Sequence, residues 1–238
     1  SKTLLNRPKL DIKASEMRKI WLGNDQKRLQ DFVDYATRDA DLLQDIVNEL
    51  KLIDRYIAIS RECGLLLHET INGGQSRRIE SMLLREFYKE SRLWPLNNKK
   101  KNLEKVEGAT VFEPVRGLHE NIIVMDYKSL YPSTIRAYNI CWTAIKNDDS
   151  PEANYSEAPN GILYIDQKTY QGIMPRILTK LYNKRVQLKT LMKQATSESE
   201  RQYYDNQQYS VKILLNSFYG YTGAVMGRLY DPRLANSV

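Results

Sequence analysis

Long stretches with apolar residues at three- and four-residue steps constrain the fold of this 238-residue chain more than any other feature. This spacing is typical of amphipathic helices, and it predicts them over residues 28–62 and 79–88. The helical period returns at Pro175, and a last helix is expected over 202–218. Three glycines are expected to end these helices: Gly64, Gly220 and Gly223.

The period changes in the middle of the chain. A run of β-branched and apolar residues, Ile-Ile-Val-Met at 122–125, lies between Gly117 and a Ser-Leu-Tyr-Pro-Ser turn. This pattern predicts a buried strand, and a second short strand is expected at 161–165. Residues 94–105 are polar and basic and include a proline, which favours a linker between two bodies. Together these patterns predict an α+β fold that is predominantly helical.

Composition excludes several classes of protein. With 42% hydrophobic and 27% charged residues, the chain is expected to form one large globular domain or two small ones. No apolar run approaches membrane-spanning length, so no membrane partner is expected. The N-terminus has too short an apolar stretch for a signal peptide. It also lacks an initiator Met, so we expect that the chain starts inside a longer protein.

Cysteine and histidine are scarce. Cys63 and Cys141 stand 78 residues apart, and His68 and His119 are the only histidines. Neither a structural zinc site nor a disulfide framework is compatible with these numbers and spacings. The scarcity of cysteine is compatible with a reducing, cytoplasmic compartment.

Positive charge is concentrated near the C-terminus. The net charge is +7, and residues 172–238 contain ten Lys or Arg against four Asp or Glu. The first 171 residues are nearly balanced, with 26 basic and 25 acidic side chains. A polyanionic partner would explain this asymmetry. A solvated helical face is the alternative interpretation.

The segment around Asp126 carries the first chemical signal. An acidic side chain at the end of a buried strand costs free energy unless a cation neutralises it. The turn at 129–133 leads into a predicted helix over 133–138, and backbone N–H groups in such a turn can bind an anion. This combination indicates a metal-bound polyphosphate. An Asp that only caps a turn is the alternative.

Two further sets lie on the C-terminal helices. Arg185 and Lys189, at i and i+4, project from one helix face and would repel each other mildly unless an anion lay between them. Lys212, Asn216 and Tyr219 share one stripe opposite the apolar residues of their helix. A cation, an amide and a ring in a row suit a phosphate and a stacked base. For the charged pair at 185 and 189, a solvated helical face is the alternative and the commoner explanation.

The order of these segments resembles family B DNA polymerases. Residues 126–133 match the D-x-x-S-L-Y-P-S motif A of that family, and residues 212–220 match its K-x-x-x-N-S-x-Y-G motif B. The stretch 172–175, with Arg185 and Lys189, resembles the family's fingers. Residues 35–39 resemble the Y-x-x-x-D exonuclease motif. Residues 107–109 resemble the Y-x-G-G/A element, with Val106 at the tyrosine position.

This resemblance implies a role for each matching residue. Asp126 would be one of two palm carboxylates that hold two Mg²⁺ ions, with help from the Tyr127 carbonyl. Asp39 would bind metal at a separate 3′→5′ exonuclease site, where Tyr35 would position the attacking water. The resemblance also implies which residues bind the incoming dNTP, through the motif A amides, the fingers cations and the side chains beside the new base pair. These residues are Tyr127, Ser129, Leu130, Tyr131, Arg185, Lys189, Lys212, Asn216 and Tyr219.

The resemblance also implies an architecture, a partial right hand with an antiparallel palm sheet and two-helix fingers. Residues 1–93 would be the C-terminal part of the exonuclease domain with linking helices. Residues 94–150 would begin the palm, with a strand over 122–127, and 151–224 would hold the palm insertion and fingers. Residues 225–238 would return to the palm.

The implied function is template-directed DNA synthesis by a nucleotidyltransferase that binds primer–template DNA. Motif C and a thumb are not found in the sequence, so activity is expected to need a second polypeptide that carries them, and the chain alone is expected to be inactive. The location would be the cytoplasm of a prokaryotic cell or virus-infected host, or else a nucleus. Alternatives are a non-catalytic nucleic-acid-binding or assembly subunit, a nuclease centred on Asp39, and an unrelated basic helical module.

Overall fold

The computed structural model of the chain describes residues 2–5, 12–94, 106, 111–148, 150 and 152–238. It divides into two compact units, Ser1–Arg55 and Tyr56–Val238. The helices are α1 (Lys2–Leu5), α2 (Ala14–Leu22), α3 (Gln26–Glu49), α4 (Leu52–Cys63), α5 (Leu67–Asn72), α6 (Gly74–Lys89), α7 (Leu130–Ala137), α8 (Ile173–Gln194), α9 (Glu198–Thr222) and α10 (Pro232–Ala235). No described helix is both long enough and apolar enough to cross a bilayer.

The first unit is built around α3. Asp25 caps this helix, because its carboxylate accepts hydrogen bonds from the backbone N–H groups of Lys27 and Arg28 at 3.0 and 3.1 Å. The helix ends where Lys51 adopts a left-handed conformation with φ of 49°. The single helical stretch expected over 28–62 is therefore two helices, α3 and α4. Gly64, at φ of 68°, ends α4 as predicted.

The second unit has its core between α8 and α9. These two long helices are joined by three residues and pack along each other as an antiparallel pair, against which α6 and α7 also pack. The pair confirms the helices predicted after Pro175. Its fully buried side chains include Ile173, Met174, Leu178, Val211, Leu214 and Phe218.

A two-stranded antiparallel sheet covers one side of this core. Strand β1 (Tyr155–Glu157) pairs with β2 (Leu163–Ile165) in the register Tyr155–Ile165 and Glu157–Leu163. Gly161, at φ of 80°, lies in the turn between them, where a side chain would strain the backbone. The strand expected at 161–165 is thus confirmed over 163–165, and its first two residues belong to the turn.

The strand expected at 122–125, and its extension to 127, is not formed. These residues are irregular, and Val124 and Met125 are 87% and 88% exposed. A strand is stable only when the backbone N–H and C=O groups pair with those of a neighbouring strand. No described strand pairs with this segment. The expectation that Gly220 ends the last helix is also wrong. It lies inside α9, which continues to Thr222, with Gly223 as its C-cap.

The loop after α7 fixes the start of α8. Asn139 is buried, and its amide nitrogen donates to the carbonyls of Ile165 and Tyr170 at 2.7 and 2.9 Å. Its amide oxygen accepts from the N–H of Gly172 at 2.9 Å. The Thr143 hydroxyl accepts from Ile173 N–H, and the Cys141 thiol from Met174 N–H.

The first N–H groups of α8 are thus satisfied by side chains. Burial raises the pKa of the Cys141 thiol, which therefore stays protonated. The start of α8 is in this way tied to the end of α7.

Candidate active site

Motif A forms the sharp start of α7. Ser129 precedes the helix in a left-handed conformation, with φ of 56° and ψ of 52°, and its carbonyl accepts from Ser133 N–H at 2.9 Å. The Ser133 hydroxyl donates to the Lys128 carbonyl at 3.2 Å. Pro132 has no N–H to offer, and the N–H groups of 129–131 form no hydrogen bond with the described residues. Such a turn presents free donors to an anion.

Motif B meets motif A through two aromatic rings. Tyr131 on α7 stacks on Tyr219 of α9 with ring centroids 4.1 Å apart and planes 9° apart. Burial, and to a smaller degree the neighbouring Tyr131, raises the pKa of the Tyr219 phenol. The Tyr219 hydroxyl therefore remains neutral at physiological pH and can serve as a hydrogen-bond donor or acceptor.

The rest of motif B lies along the outer face of α9. Leu214 and Phe218 are buried in the core, whereas Lys212 and Asn216 are exposed and make no hydrogen bond or ion pair with a described residue. The helical rise places Lys212 about 10 Å from Tyr219 along the axis. The two faces expected from the sequence are therefore both present.

The fingers cations lie on α8 beside this stripe. The Arg185 guanidinium donates to the side-chain carbonyl of Gln208 on α9 at 3.3 Å, and Gln208 precedes Lys212 by one helical turn. Lys189, one turn further along α8, is exposed and makes no hydrogen bond or ion pair with a described residue. The structure thus brings Arg185 to the α9 stripe, but it does not bring Lys189 into contact with any other predicted site residue.

Asp126 and Tyr127 lie at the edge of this arrangement. Both are exposed, with Tyr127 79% accessible, in the irregular segment that leads to α7. Within the described ranges, no three His, Cys, Asp or Glu side chains come together so that they could hold a metal ion. The donors present therefore fit only part of a Mg²⁺ site, which takes six oxygen ligands.

One contact between motif A and α8 was missed in the sequence. The ring of Tyr182 lies beside two cations of the α7 region, 5.6 Å from Lys128 Nζ and 4.5 Å from Arg136 Cζ. Arg136 Nε also donates to the Thr179 hydroxyl at 3.0 Å. No short motif signals this contact, because it depends on the packing angle of two helices.

A second missed cluster surrounds Glu90 at the base of α8. Its carboxylate accepts from Arg176 at 2.5 Å, from Arg92 at 2.7 Å and from the Tyr170 hydroxyl at 2.9 Å. Burial opposes ionisation of this carboxyl, but the three hydrogen bonds outweigh it and lower the pKa of Glu90. The Tyr170 hydroxyl also lies 3.2 Å from Thr143 Oγ1, which links the cluster to the cap of α8.

The predicted exonuclease residues lie in the first unit. Tyr35 and Asp39 stand at i and i+4 on α3, half-buried on one face of the helix. The ring of Tyr35 stacks on Phe32, with centroids 6.5 Å apart. Their catalytic and metal-binding roles stay predictions.

The element expected over 107–109 falls outside the described residues. Val106 is described, and its side chain lies 3.5 Å from the point where a Cβ on Gly223 would stand. The domain boundaries expected at 93, 150 and 224 stay predictions as well.

Comparison with known proteins identifies the family. The family model described as "DNA polymerase family B" matches residues 65–238. DNA polymerase delta catalytic subunits from Candida albicans and Oryza sativa subsp. japonica are 31% and 32% identical over 98% of this chain, which spans 23% and 22% of those relatives. The family B DNA polymerase from the hyperthermophilic archaeon Pyrobaculum calidifontis is 26% identical, with a TM-score of 0.78 over 96% of this chain and 30% of that structure. The resemblance seen in motifs A and B is thereby confirmed, and the chain belongs to DNA polymerase family B.

Proposed function

We propose that this chain supplies the nucleotide-binding part of a DNA polymerase active site, for transfer of a nucleotidyl group from a dNTP to a primer 3′-OH. The stack between Tyr131 and Tyr219 carries the proposal, because it unites the two family motifs in one surface. The activity of the longer relatives belongs to proteins of which this chain spans about a fifth.

The triphosphate is assigned to the free amides of 129–131 and to the cations beside α9. Arg185 and Lys212 lie about one helical turn apart along the α8–α9 pair, and Lys189 lies one turn further out. Arginine and lysine neutralise charge on a phosphoryl group and orient it for in-line attack. Tyr131 is assigned to the sugar, where its ring would exclude a ribose 2′-OH.

Asn216 and Tyr219 are assigned to the border of the new base pair. Asn216 is exposed on the same stripe as Lys212, and Tyr219 offers the ring edge that the stack leaves open. An aromatic ring and an amide together can pack on a base and form a hydrogen bond to it.

Mg²⁺ would supply charge neutralisation at the triphosphate and activation of the attacking oxygen. Asp126, with the Tyr127 carbonyl, would give only some of the ligands. We therefore propose that a second carboxylate comes from a segment or polypeptide with motif C, accompanied by a thumb that holds primer–template DNA. The 3′→5′ exonuclease role of Tyr35 and Asp39, and a role in DNA replication, belong to the same proposal.

Primer extension tests this function. The chain is assayed with Mg²⁺ and dNTPs, alone and mixed with a polypeptide that carries motif C and thumb, and D126A is run in parallel. Extension only in the mixture, and its loss in D126A, would support a site completed by the second polypeptide. Extension by the chain alone would contradict the need for a second carboxylate.

Nucleotide binding is measured separately with a fluorescent dNTP. K212A is expected to weaken binding about tenfold. K193A, a matched exposed cation on α8, should leave it unchanged. Retained DNA binding without dNTP binding would favour the alternative, a non-catalytic nucleic-acid-binding subunit.

A further inference from the structure

A cavity of about 260 Å³ lies between α4, α6 and α8, in the second unit. Its wall holds five cations, contributed by all three helices, and two carboxylates. Its apolar surface comes from Met82, Ile177 and Leu181. We call it the basic groove and define it by its cations: Arg61, Arg85, Lys89, Lys180 and Lys184.

The carboxylates of the groove are already engaged. Glu62 forms an ion pair with Lys184. Glu86 pairs with Lys89 at 2.5 Å and also lies 3.5 Å from Arg176, a cation outside the groove. These contacts leave no acidic side chain of the groove for its remaining three cations.

Those three cations are not neutralised by any described residue. The Arg85 guanidinium donates to the backbone carbonyl of Glu62 at 2.9 Å, a contact that orients the side chain but cancels no charge. Arg61 and Lys180 are exposed and make no hydrogen bond or ion pair with a described residue. Three like charges around one cavity repel each other, and a bound polyanion would remove that repulsion.

We infer that the basic groove binds the phosphodiester backbone of a nucleic-acid strand. Arg85 and Lys89 stand at i and i+4 on α6, and Lys180 and Lys184 do so on α8, so each helix presents two cations on one face. A row of cations suits a chain of phosphates better than a single anion. The apolar surface of Met82, Ile177 and Leu181 can pack against sugars and bases, whereas a hydrated inorganic anion would make no use of it.

The groove is separate from the candidate active site. Lys184 and Arg185 are adjacent on α8, so their side chains project about 100° apart. Arg185 contacts α9 through Gln208, whereas Lys184 contacts α4 through Glu62. A strand in the groove therefore lies on another face of α8, and its binding does not depend on Asp126 or on nucleotidyl transfer.

The test measures how tightly an oligonucleotide binds and whether it protects the groove lysines from acetylation. Affinity for a fluorescein-labelled oligothymidylate is measured by fluorescence anisotropy over a range of salt concentrations. Acetylation of lysines, read by mass spectrometry, reports whether Lys89 and Lys180 are covered, and sodium tripolyphosphate serves as a second probe. The variant R61E/K180E is compared with K193E, which reverses an exposed charge elsewhere on α8.

The oligonucleotide is expected to protect Lys89 and Lys180 in the unmodified chain. R61E/K180E should weaken its binding about tenfold and make the slope of log K against log salt shallower by about 1.4, the change for two lost phosphate contacts. K193E should change affinity by less than about twofold. D126A should retain the protection, so a failure of the proposed polymerase function would not remove this result.

Three outcomes would overturn the inference. Equal losses in R61E/K180E and K193E would mean that general surface charge binds the strand. Protection by tripolyphosphate but not by the oligonucleotide would assign the groove to free phosphate compounds. Absence of protection by either probe would mean that the groove binds no phosphate. Circular dichroism of both variants checks that they fold, which is expected because the substituted side chains are exposed.

Discussion

Tyr131 and Tyr219 are 88 residues apart in the chain, and their rings lie nearly parallel with centroids 4.1 Å apart. This contact joins the start of α7 to the end of α9 and thus connects the two motifs that identify the family. The rings remain partly open on the outer side, with Tyr131 37% exposed. The stack therefore serves both as a packing contact and as part of the proposed dNTP surface.

The stack should be energetically coupled. In a double-mutant cycle with Y131A, Y219A and the double variant, we expect a coupling free energy of about 0.5–1.5 kcal/mol, the range for aromatic pairs beyond their buried area. Unfolding in urea measures the free energies. A cycle of Y219A with Y138A is the control, because Tyr138, the C-cap residue of α7, is exposed and should show no coupling. A coupling below about 0.3 kcal/mol would show that the rings merely adjoin.

Stability should depend on pH through Glu90. Because its pKa is lowered in the folded state, its contribution is complete above about pH 4.5, the usual value of the carboxyl, and is lost as the pH falls through the folded value. E90Q should therefore be less stable than the unmodified chain at neutral pH, and the difference should shrink in acid.

Urea unfolding at several pH values checks this dependence. E152Q is the matched control, because Glu152 is exposed and makes no ion pair with a described residue. Its effect should be small and unchanged across the series. A constant difference between E90Q and the unmodified chain would contradict the role of the ionised carboxylate.

Two glycines should respond oppositely to alanine. A Cβ on Gly172 would meet the Cβ of Cys141 at 2.7 Å, so G172A should destabilise the chain by about 1–3 kcal/mol. Gly220 lies inside α9 with nothing within 4 Å of the added atom. G220A should stabilise by about 0.5–1 kcal/mol, because alanine loses less backbone entropy in a helix. Melting temperatures rank the two variants, and equal shifts would refute the steric argument.

The irregular segment before motif A should tolerate a charge. Val124 is 87% exposed, so V124D should change the free energy of unfolding of this chain by less than about 0.5 kcal/mol. I135D, at a fully buried position of α7, is the contrast and should unfold it. A large loss of unfolding free energy in V124D would instead support the buried strand that the sequence alone indicated.

The helical parts of the fold could be predicted from local pattern, because apolar spacing and the glycine after α4 act within a few residues. The failed strand at 122–125 shows the limit of that reasoning. Its apolar run indicates burial, but a strand also needs a hydrogen-bonding neighbour, which the local pattern does not contain. The break at Lys51 was missed for a related reason, since a left-handed lysine leaves no signal in the apolar spacing.

The candidate site also combines features that local sequence pattern determines with features that depend on tertiary packing. The stripe of Lys212, Asn216 and Tyr219 could be located because helical geometry fixes which residues share a face. Its contact with Tyr131 could not, because that contact depends on how α7 packs against α9. Asn139 looks like an ordinary polar residue in the sequence. Only the fold shows that its three hydrogen bonds link β2, the following loop and α8.

The cap of α8 has an electrostatic consequence. Asn139, Thr143 and Cys141 already occupy the donors at the positive end of the α8 dipole, so that end attracts an approaching anion only weakly. The start of α7 has no such occupants among the described residues. The start of α7 therefore attracts a negatively charged ligand near motif A more strongly than the start of α8 does. This difference favours a single orientation of the bound ligand.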